Sequence, residues 1–400
     1  MKRIFALLVL LTIASVAPAA AVPSTFTIKG SGYGHGVGLS QIGAKGQALE
    51  GKSAAQILNY YFPSAQVTPV SDSQTIRVNV GHQLTTIKVS GNFRLYASES
   101  DSVYQSVSRA QTFAIVGNQI GAGDYGAADS WTIRWNDGSS VSVPGVTMHY
   151  GYLQIKPIYV KGKGLLIEAT NTLSLHDQYL WGVSEVPSYW PAAALQAQVI
   201  ASRTYALSRM GSIRPDCDCN IYSSKYDQVY IGYAKESEPK YGSLWTSAVM
   251  ATDIDSSHAL AITYNGQPIN VYFFSSSGGA TQLSKDVWGT AYPYLVSVPD
   301  PWSLDKSLNP GYANWSRVVK QADIAAAFGL PNVARYVVTG RTLTGSALAV
   351  TAYSSAGASA KISVSAFKSK LKLPSSWFDL PASVQVPLPL PTPTDTTTSN

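Results

Sequence analysis

Residues 179–207 read YLWGVSEVPSYWPAAALQAQVIASRTYAL. From Pro191 to Met210 this is the clearest helical pattern in the chain, with proline at its start and Gly211 just beyond its end. Leu195, Val199, Ser202 and Ala206 fall on one face, and Gln196, Arg203 and Leu207 on another. On either side the chain reads as strands. Residues 75–170 alternate apolar and polar positions between Gly/Asn/Asp turns, as in Ile76–Val80, Thr86–Val89, Trp131–Trp135 and Leu165–Ile167. Residues 259–274 return to strands, and residues 315–380 alternate strands with one helix. A short helix is predicted from Ser53 to Phe62, stopped by Pro63. One long helix among many short strands predicts an α+β fold. It should be built mostly of antiparallel β-sheets, with a few helices lining a substrate cleft.

A second stretch, GSGYGHGVGLSQIGA (30–44), is unlike either element. Five glycines occupy every second position from Gly30 to Gly38, with His35 among them and Ser40 and Gln41 directly after. Bare backbone of this kind suits close approach by another group. No strand–helix unit surrounds a GxGxxG spacing, and no Gly-Lys-Ser/Thr triplet ends the run, so a nucleotide loop is not indicated. His82, His149, His176 and His258 have no comparable setting.

Residues 1–21 read as a secretory signal: Lys2 and Arg3, an apolar middle, then Ala19-Ala20-Ala21. No later segment is long and apolar enough to be a membrane span. Removing Lys2 and Arg3 lowers the formal charge from +6 to +4, and no Lys/Arg cluster suits nucleic acid. Charged residues are only 13% against 24 Tyr and 9 Trp, which fits an extracellular protein. Cys217 and Cys219 in such a chain suggest a tight local disulfide, with half a zinc site as the sharper alternative. Asp216, Asp218 and Asn220 are spaced like the start of a calcium loop. Ile221 stands where its glycine belongs and Asp227 where its glutamate belongs, so no metal or cofactor is expected. Residues 22–382 are predicted to form one domain, with a possible β-rich subdomain at 75–170. Residues 383–400 should be a Pro/Thr-rich disordered tail.

Four blocks stand out together. They are GSGYGHGVGLSQIGAKG (30–46), the 179–207 stretch, DQVYIGY (227–233), and FFSSSGGATQLSKDVWG (273–289) with YPYLVSVPDPW (292–302). Together they resemble the SpoIID/LytB family of bacterial cell-wall proteins, over most of residues 26–382. The resemblance implies a lytic transglycosylase that cleaves the N-acetylmuramic acid to N-acetylglucosamine bond of peptidoglycan and closes a 1,6-anhydro ring. It places the catalytic acid at Glu185 and the glycan strand as the partner. A glycosidic oxygen leaves poorly unless protonated, and crowding by Trp181, Val186, Pro187, Tyr189 and Trp190 would desolvate the carboxyl and raise its pKa. The same resemblance suggests substrate contacts from Gly34, His35, Gly36, Ser40, Gln41, Arg203, Tyr205, Gln228, Tyr230, Ser276, Ser277, Gly278, Gly279 and Thr281. His35 is the candidate for a second proton-handling group. Most glycosidases need a second carboxylate. No acid stands beside Glu185 in sequence, and Asp177, Asp227 and Asp286 are the ones folding can bring near.

The chain departs from the family pattern in three ways. The GHG block usually closes the domain and here begins it, which implies a circular permutation and predicts that Thr25–Lys29 and Trp377–Leu380 are neighbours. Two residues are missing between the YL.GV motif and Glu185. Gln196 and Ala193 replace the usual lysine and acid of the helix. The family also includes amidase enhancers, so a non-catalytic partner of a cell-wall amidase is the second reading. An enhancer tolerates Glu185→Gln and an enzyme does not.

Overall fold

A computed structural model describes residues 22–380; the predicted leader at 1–21 and the tail at 383–400 lie outside the described residues. The fold is α+β and mostly antiparallel. Its largest sheet has seven strands, in the order Ile221–Tyr222, Thr75–Leu84, Gly164–Ser174, Tyr152–Val160, Trp131–Arg134, Phe93–Tyr96 and Gln105–Val107. Only the short Ile221–Tyr222 strand joins in parallel. Ile76, Val78 and Val80 point to one buried face, as their alternation requires. Gly164–Ser174 pairs with a strand on each side and is buried along most of its length.

The helix beyond Pro191 runs from Ala192 to Leu207, three residues short of the predicted Met210, and Ser208 caps its end. It is enclosed rather than amphipathic: Leu195, Val199 and Ile200 are buried, but so are Gln198, Ser202 and Arg203. Helices Gln41–Leu49, Ala54–Tyr61 and Gly242–Met250 and strand His258–Tyr264 pack around it. Each buried Leu, Val or Ile contributes roughly 1.5–3 kcal/mol, so this surround fixes the helix firmly. The Ala54–Tyr61 helix starts at a reciprocal cap between Ser53 and Gln56, each side chain bonding the other's backbone N–H.

A second, smaller core gathers Ile28, Trp315, Val319, Ile324, Phe328, Val350, Phe367 and Phe378. Strand Thr25–Ser31 is central in its three-stranded sheet, between Trp315–Lys320 and Trp377–Phe378. Gly30 pairs with Phe378 and Ser31 with Trp377, and the Asp379 N–H donates to the Lys29 carbonyl at 2.8 Å. The first and last described segments therefore lie side by side. Two helices, Gln321–Phe328 and Val364–Leu371, occur here instead of the single one expected. Each is only eight residues long, too short for its periodicity to stand out from the strands around it.

Candidate active site

The glycine-rich loop carries the chain from the small core to the large one. Gly32, Gly34, Gly36 and Gly38 all have positive φ, between 80° and 120°, a region that side chains resist. A Cβ at Gly36 would lie 2.6 Å from the Trp377 ring, and one at Gly38 2.2 Å from the Tyr272 carbonyl oxygen. The glycines therefore permit close packing of the loop onto protein. Its remaining open side, at Tyr33, Gly34 and His35, borders a cavity of 630 Å³ that also holds Glu185.

Glu185 follows a short paired segment. The Ser184 N–H donates to the Val229 carbonyl at 2.7 Å, and the Ile231 N–H to the Gly182 carbonyl at 2.9 Å. The Val229 N–H donates to Glu185 Oε1 at 2.6 Å, and among the described residues no donor meets Oε2. Gln41 Nε2 donates to Gln198 Oε1 at 3.2 Å and reaches the Glu185 carbonyl at 3.4 Å, so the long helix holds the backbone of the acid through Gln41. Burial raises the Glu185 pKa to about 7, against the opposing pull of the Val229 hydrogen bond. The wall that desolvates it differs in part from the expected one. Trp181 packs on Tyr150 and Tyr189 stands 58% exposed, whereas Tyr205, Tyr272, Phe273 and Phe274 line the cavity. A second cavity, of 420 Å³, opens on the other side of Glu185 among Val186, Pro187, Tyr189, Ile231 and Lys235.

His35 lies among Tyr272, Phe274 and Trp288, with ring centroids 6.1, 5.6 and 5.1 Å away. Its Nδ1 accepts the Val37 N–H at 3.1 Å, which assigns the proton to Nε2. Burial, then the Lys368 charge, pushes its pKa down to about 4. At neutral pH His35 is an uncharged donor, not the second proton carrier expected of it. Asp227 does reach the cavity wall, but it is saturated. It accepts the Tyr205 hydroxyl, both Arg214 amino groups (2.6 and 2.9 Å) and the Tyr222 N–H at 2.8 Å. Burial pushes its pKa up, and those bonds outweigh burial and hold it below the usual value. One proton-bearing carboxyl thus stands beside one locked carboxylate.

Residues 166–256, which include Glu185 and the long helix, match the family model described as SpoIID, stage II sporulation protein. Over this segment the chain is similar to the SpoIID family. It is 34% identical over 132 residues to the stage II sporulation protein D of Bacillus subtilis (strain 168), covering 32% of this chain and 38% of that one. To an amidase enhancer of the same organism it is 32% identical over 117 residues, covering 29% of this chain and 14% of the relative. An uncharacterized protein of Brachyspira hyodysenteriae is 27% identical over 249 residues, 58% of this chain and 62% of that one. The matches thus span less than two thirds of each of these relatives.

Several SpoIID-motif residues lie away from the cavity. Ser40 is fully buried; its Oγ caps the Gln41–Leu49 helix at Gly43 N–H and meets Ser303 Oγ at 3.1 Å. Arg203 is fully buried against Asp72 and Asp253, both at 2.9 Å. Gln228 accepts the Tyr179 hydroxyl, and Tyr230 stacks on Tyr179 and reaches Asn171, all behind the Glu185 segment. Ser276 pairs its backbone with Tyr33, Ser277 Oγ accepts the Gly279 N–H, and Gly278 lies against Trp377. Thr281 Oγ1 bridges Val298 and Val296. From that turn only Ser275 borders the cavity. Gly34, His35, Gln41, Glu185 and Tyr205 do come together there, and Gly36 packs behind them.

Sequence reasoning missed Tyr33, Arg209, Arg214, Lys225 and Trp288 on the wall. Tyr33 and Trp288 are 46% and 43% exposed, flat aromatic surfaces of the kind that stack on sugar faces. Both lie inside stretches already singled out, at 30–46 and 273–289, but only the fold shows that their rings face the cavity. Cys217 and Cys219 form a disulfide beside Arg214, whose N–H donates to the Cys219 carbonyl at 2.8 Å. Among the described residues no group of three or more His, Cys, Asp or Glu side chains is placed to hold a metal, and no helix is long and apolar enough to cross a membrane.

Proposed function

We propose that this protein is a secreted peptidoglycan lytic transglycosylase with Glu185 as its acid and base. One observation carries the reading. Glu185 is a carboxyl with a pKa of about 7, one oxygen fixed by Val229 and the other unpartnered, between two cavities. A glycan strand laid across both cavities places a glycosidic oxygen at Oε2. Glu185 donates its proton there and the bond to the N-acetylglucosamine side breaks. The 6-hydroxyl of the muramic sugar attacks its own anomeric carbon and returns a proton to the Glu185 carboxylate. No water and no second base enters, which suits a site whose other carboxylate is saturated. Asp227 stays ionised in its pair with Arg214 and fixes the Tyr205 hydroxyl in the cavity wall. Tyr33 and Trp288 supply stacking surfaces for the sugars.

The site of action follows from the leader predicted at residues 1–21. The order of the motif blocks reflects a circular permutation in this reading, supported by the pairing of Gly30 and Ser31 with Phe378 and Trp377. The second reading is a non-catalytic helper of a cell-wall amidase, and it rests on the similarity to the Bacillus amidase enhancer. Glu185→Gln separates the two. It should lower strand cleavage by on the order of a hundredfold or more if Glu185 is the general acid. Stimulation of an amidase that survives the substitution, with no cleavage by the parent chain, would favour the helper.

A further inference from the structure

Beyond the glycine-rich loop the cleft continues. Tyr33, Gly34, His35, Lys225 and Trp288 border the Glu185 cavity on one side and a cavity of 760 Å³ on the other. That second cavity lies against the small core, between the loop, the Trp315–Lys320 strand and the Val364–Leu371 helix. Its charges are one-sided. Lys225, Arg317, Lys368 and Lys372 face it, and Asp286 is its one acid among the described residues. None of the four cations makes an ion pair among the described residues. Lys368 spends one of its three N–H groups on the Gly34 carbonyl at 2.7 Å, which ties the helix to the loop and leaves two donors free. Four clustered cations with one acid repel one another, and an anionic ligand relieves that repulsion. The cavity at the other end, beyond Val186, has one cation, Lys235, and two acids, Glu185 and Glu238. The groove is therefore electrically polar along its length.

We propose that the cavity formed by Lys225, Arg317, Lys368 and Lys372 is a carboxylate-binding subsite that holds an acidic appendage of the glycan strand while the sugars cross Glu185. The assignment of the strand rests on the function proposed above; the preference for carboxylate does not. Two sources carry this chemistry on a wall strand, the stem peptide and the lactyl group of a stripped muramic sugar. A subsite at one end of the groove also sets the direction in which the strand lies.

The test measures dissociation constants with the full chain carrying Glu185→Gln, which stops turnover. Three soluble ligands are compared: peptide-bearing strands, stripped strands, and the same strands with their carboxyl groups converted to neutral amides. A fourth, a triglutamate peptide, carries carboxylates and no sugar. Amidation should weaken strand binding at least fivefold, and adding Arg317→Ala with Lys372→Ala should reproduce that loss. Both side chains are exposed, so folding should survive the change. The tighter of the two native strands identifies the source. Triglutamate binding, lost in the double variant, supports the subsite even if no strand binds, and that outcome would instead refute the glycan reading. A loss below fivefold on amidation, or an unchanged double variant, overturns the proposal, as does failure of both strand and triglutamate to bind.

Discussion

Arg203 and Tyr205 leave the same helix two residues apart and face opposite environments. Tyr205 lines the cavity of Glu185 and donates its hydroxyl to Asp227, itself clamped by Arg214. Arg203 points into the large core, where Asp72 and Asp253 neutralise it and Thr252 and the Leu260 carbonyl take further N–H groups. Both sit in one Arg-Thr-Tyr run and both are polar. One front and one back region thus share a motif. The front holds groups whose polarity meets open space, and the back holds groups whose polarity is consumed by the fold. A buried charge without a partner is too costly to keep, so each polar residue of the back wall marks a partner elsewhere in the chain.

The sharpest way to break this division is Arg203→Ala. It removes the Arg203 charge from the fully buried Asp72, leaving His176 at 2.7 Å as its side-chain partner, and should cost about 3–5 kcal/mol of stability, read as a lower denaturant midpoint. A loss below 1 kcal/mol would mean that the back wall is not structural. Next comes Glu185, where the front wall should behave in the reverse sense. Its folded pKa of about 7 lies above the ordinary 4.5, so the native state holds a proton that the unfolded chain releases. Stability should fall as pH rises from about 4.5 to about 7 and stay lower above. Glu185→Gln removes that penalty. It should therefore stabilise the protein by up to about 3 kcal/mol at pH 8 and by almost nothing at pH 4. His35, held down to about 4, loses stability on the acid side, but it is common to both chains and cancels in the difference. Equal stability of the two at pH 8 would contradict the buried acid.

Activity should follow the same group. The acid must carry its proton, so kcat/KM for strand cleavage should decline above about pH 7, and a profile flat to pH 9 would exclude Glu185 as donor. The smallest effect belongs to Tyr205→Phe. One hydrogen bond to Asp227 is lost, about 1 kcal/mol, and Arg214 still holds the carboxylate. Cleavage should drop a few-fold with the melting temperature nearly unchanged. A large loss of stability instead would move Tyr205 to the back wall.

How much of this was legible in the sequence follows the same division. The long helix announced itself through Pro191 and its apolar run, because both signals are local. The glycine-rich loop also read correctly as bare backbone. Its glycines prove to serve packing onto Trp377 and Tyr272, and only its open side faces the cavity. Glu185 came from resemblance, and the fold supplies the reason its pKa is high. Arg203, Gln228 and Thr281 were misread as substrate contacts because only folding brings them their partners Asp72, Tyr179 and Val296. Trp288, Lys225 and Arg317 went unseen for the same reason. Nothing local separates an aromatic or a cation that borders a cleft from one that simply faces water.

The most direct measurement is a digest of purified glycan strands by the full chain, with products identified by mass. Fragments ending in 1,6-anhydro sugars, formed by the parent chain and absent with Glu185→Gln, are the result this account predicts. Reducing-end fragments, or anhydro products that persist in the Glu185→Gln variant, would contradict it.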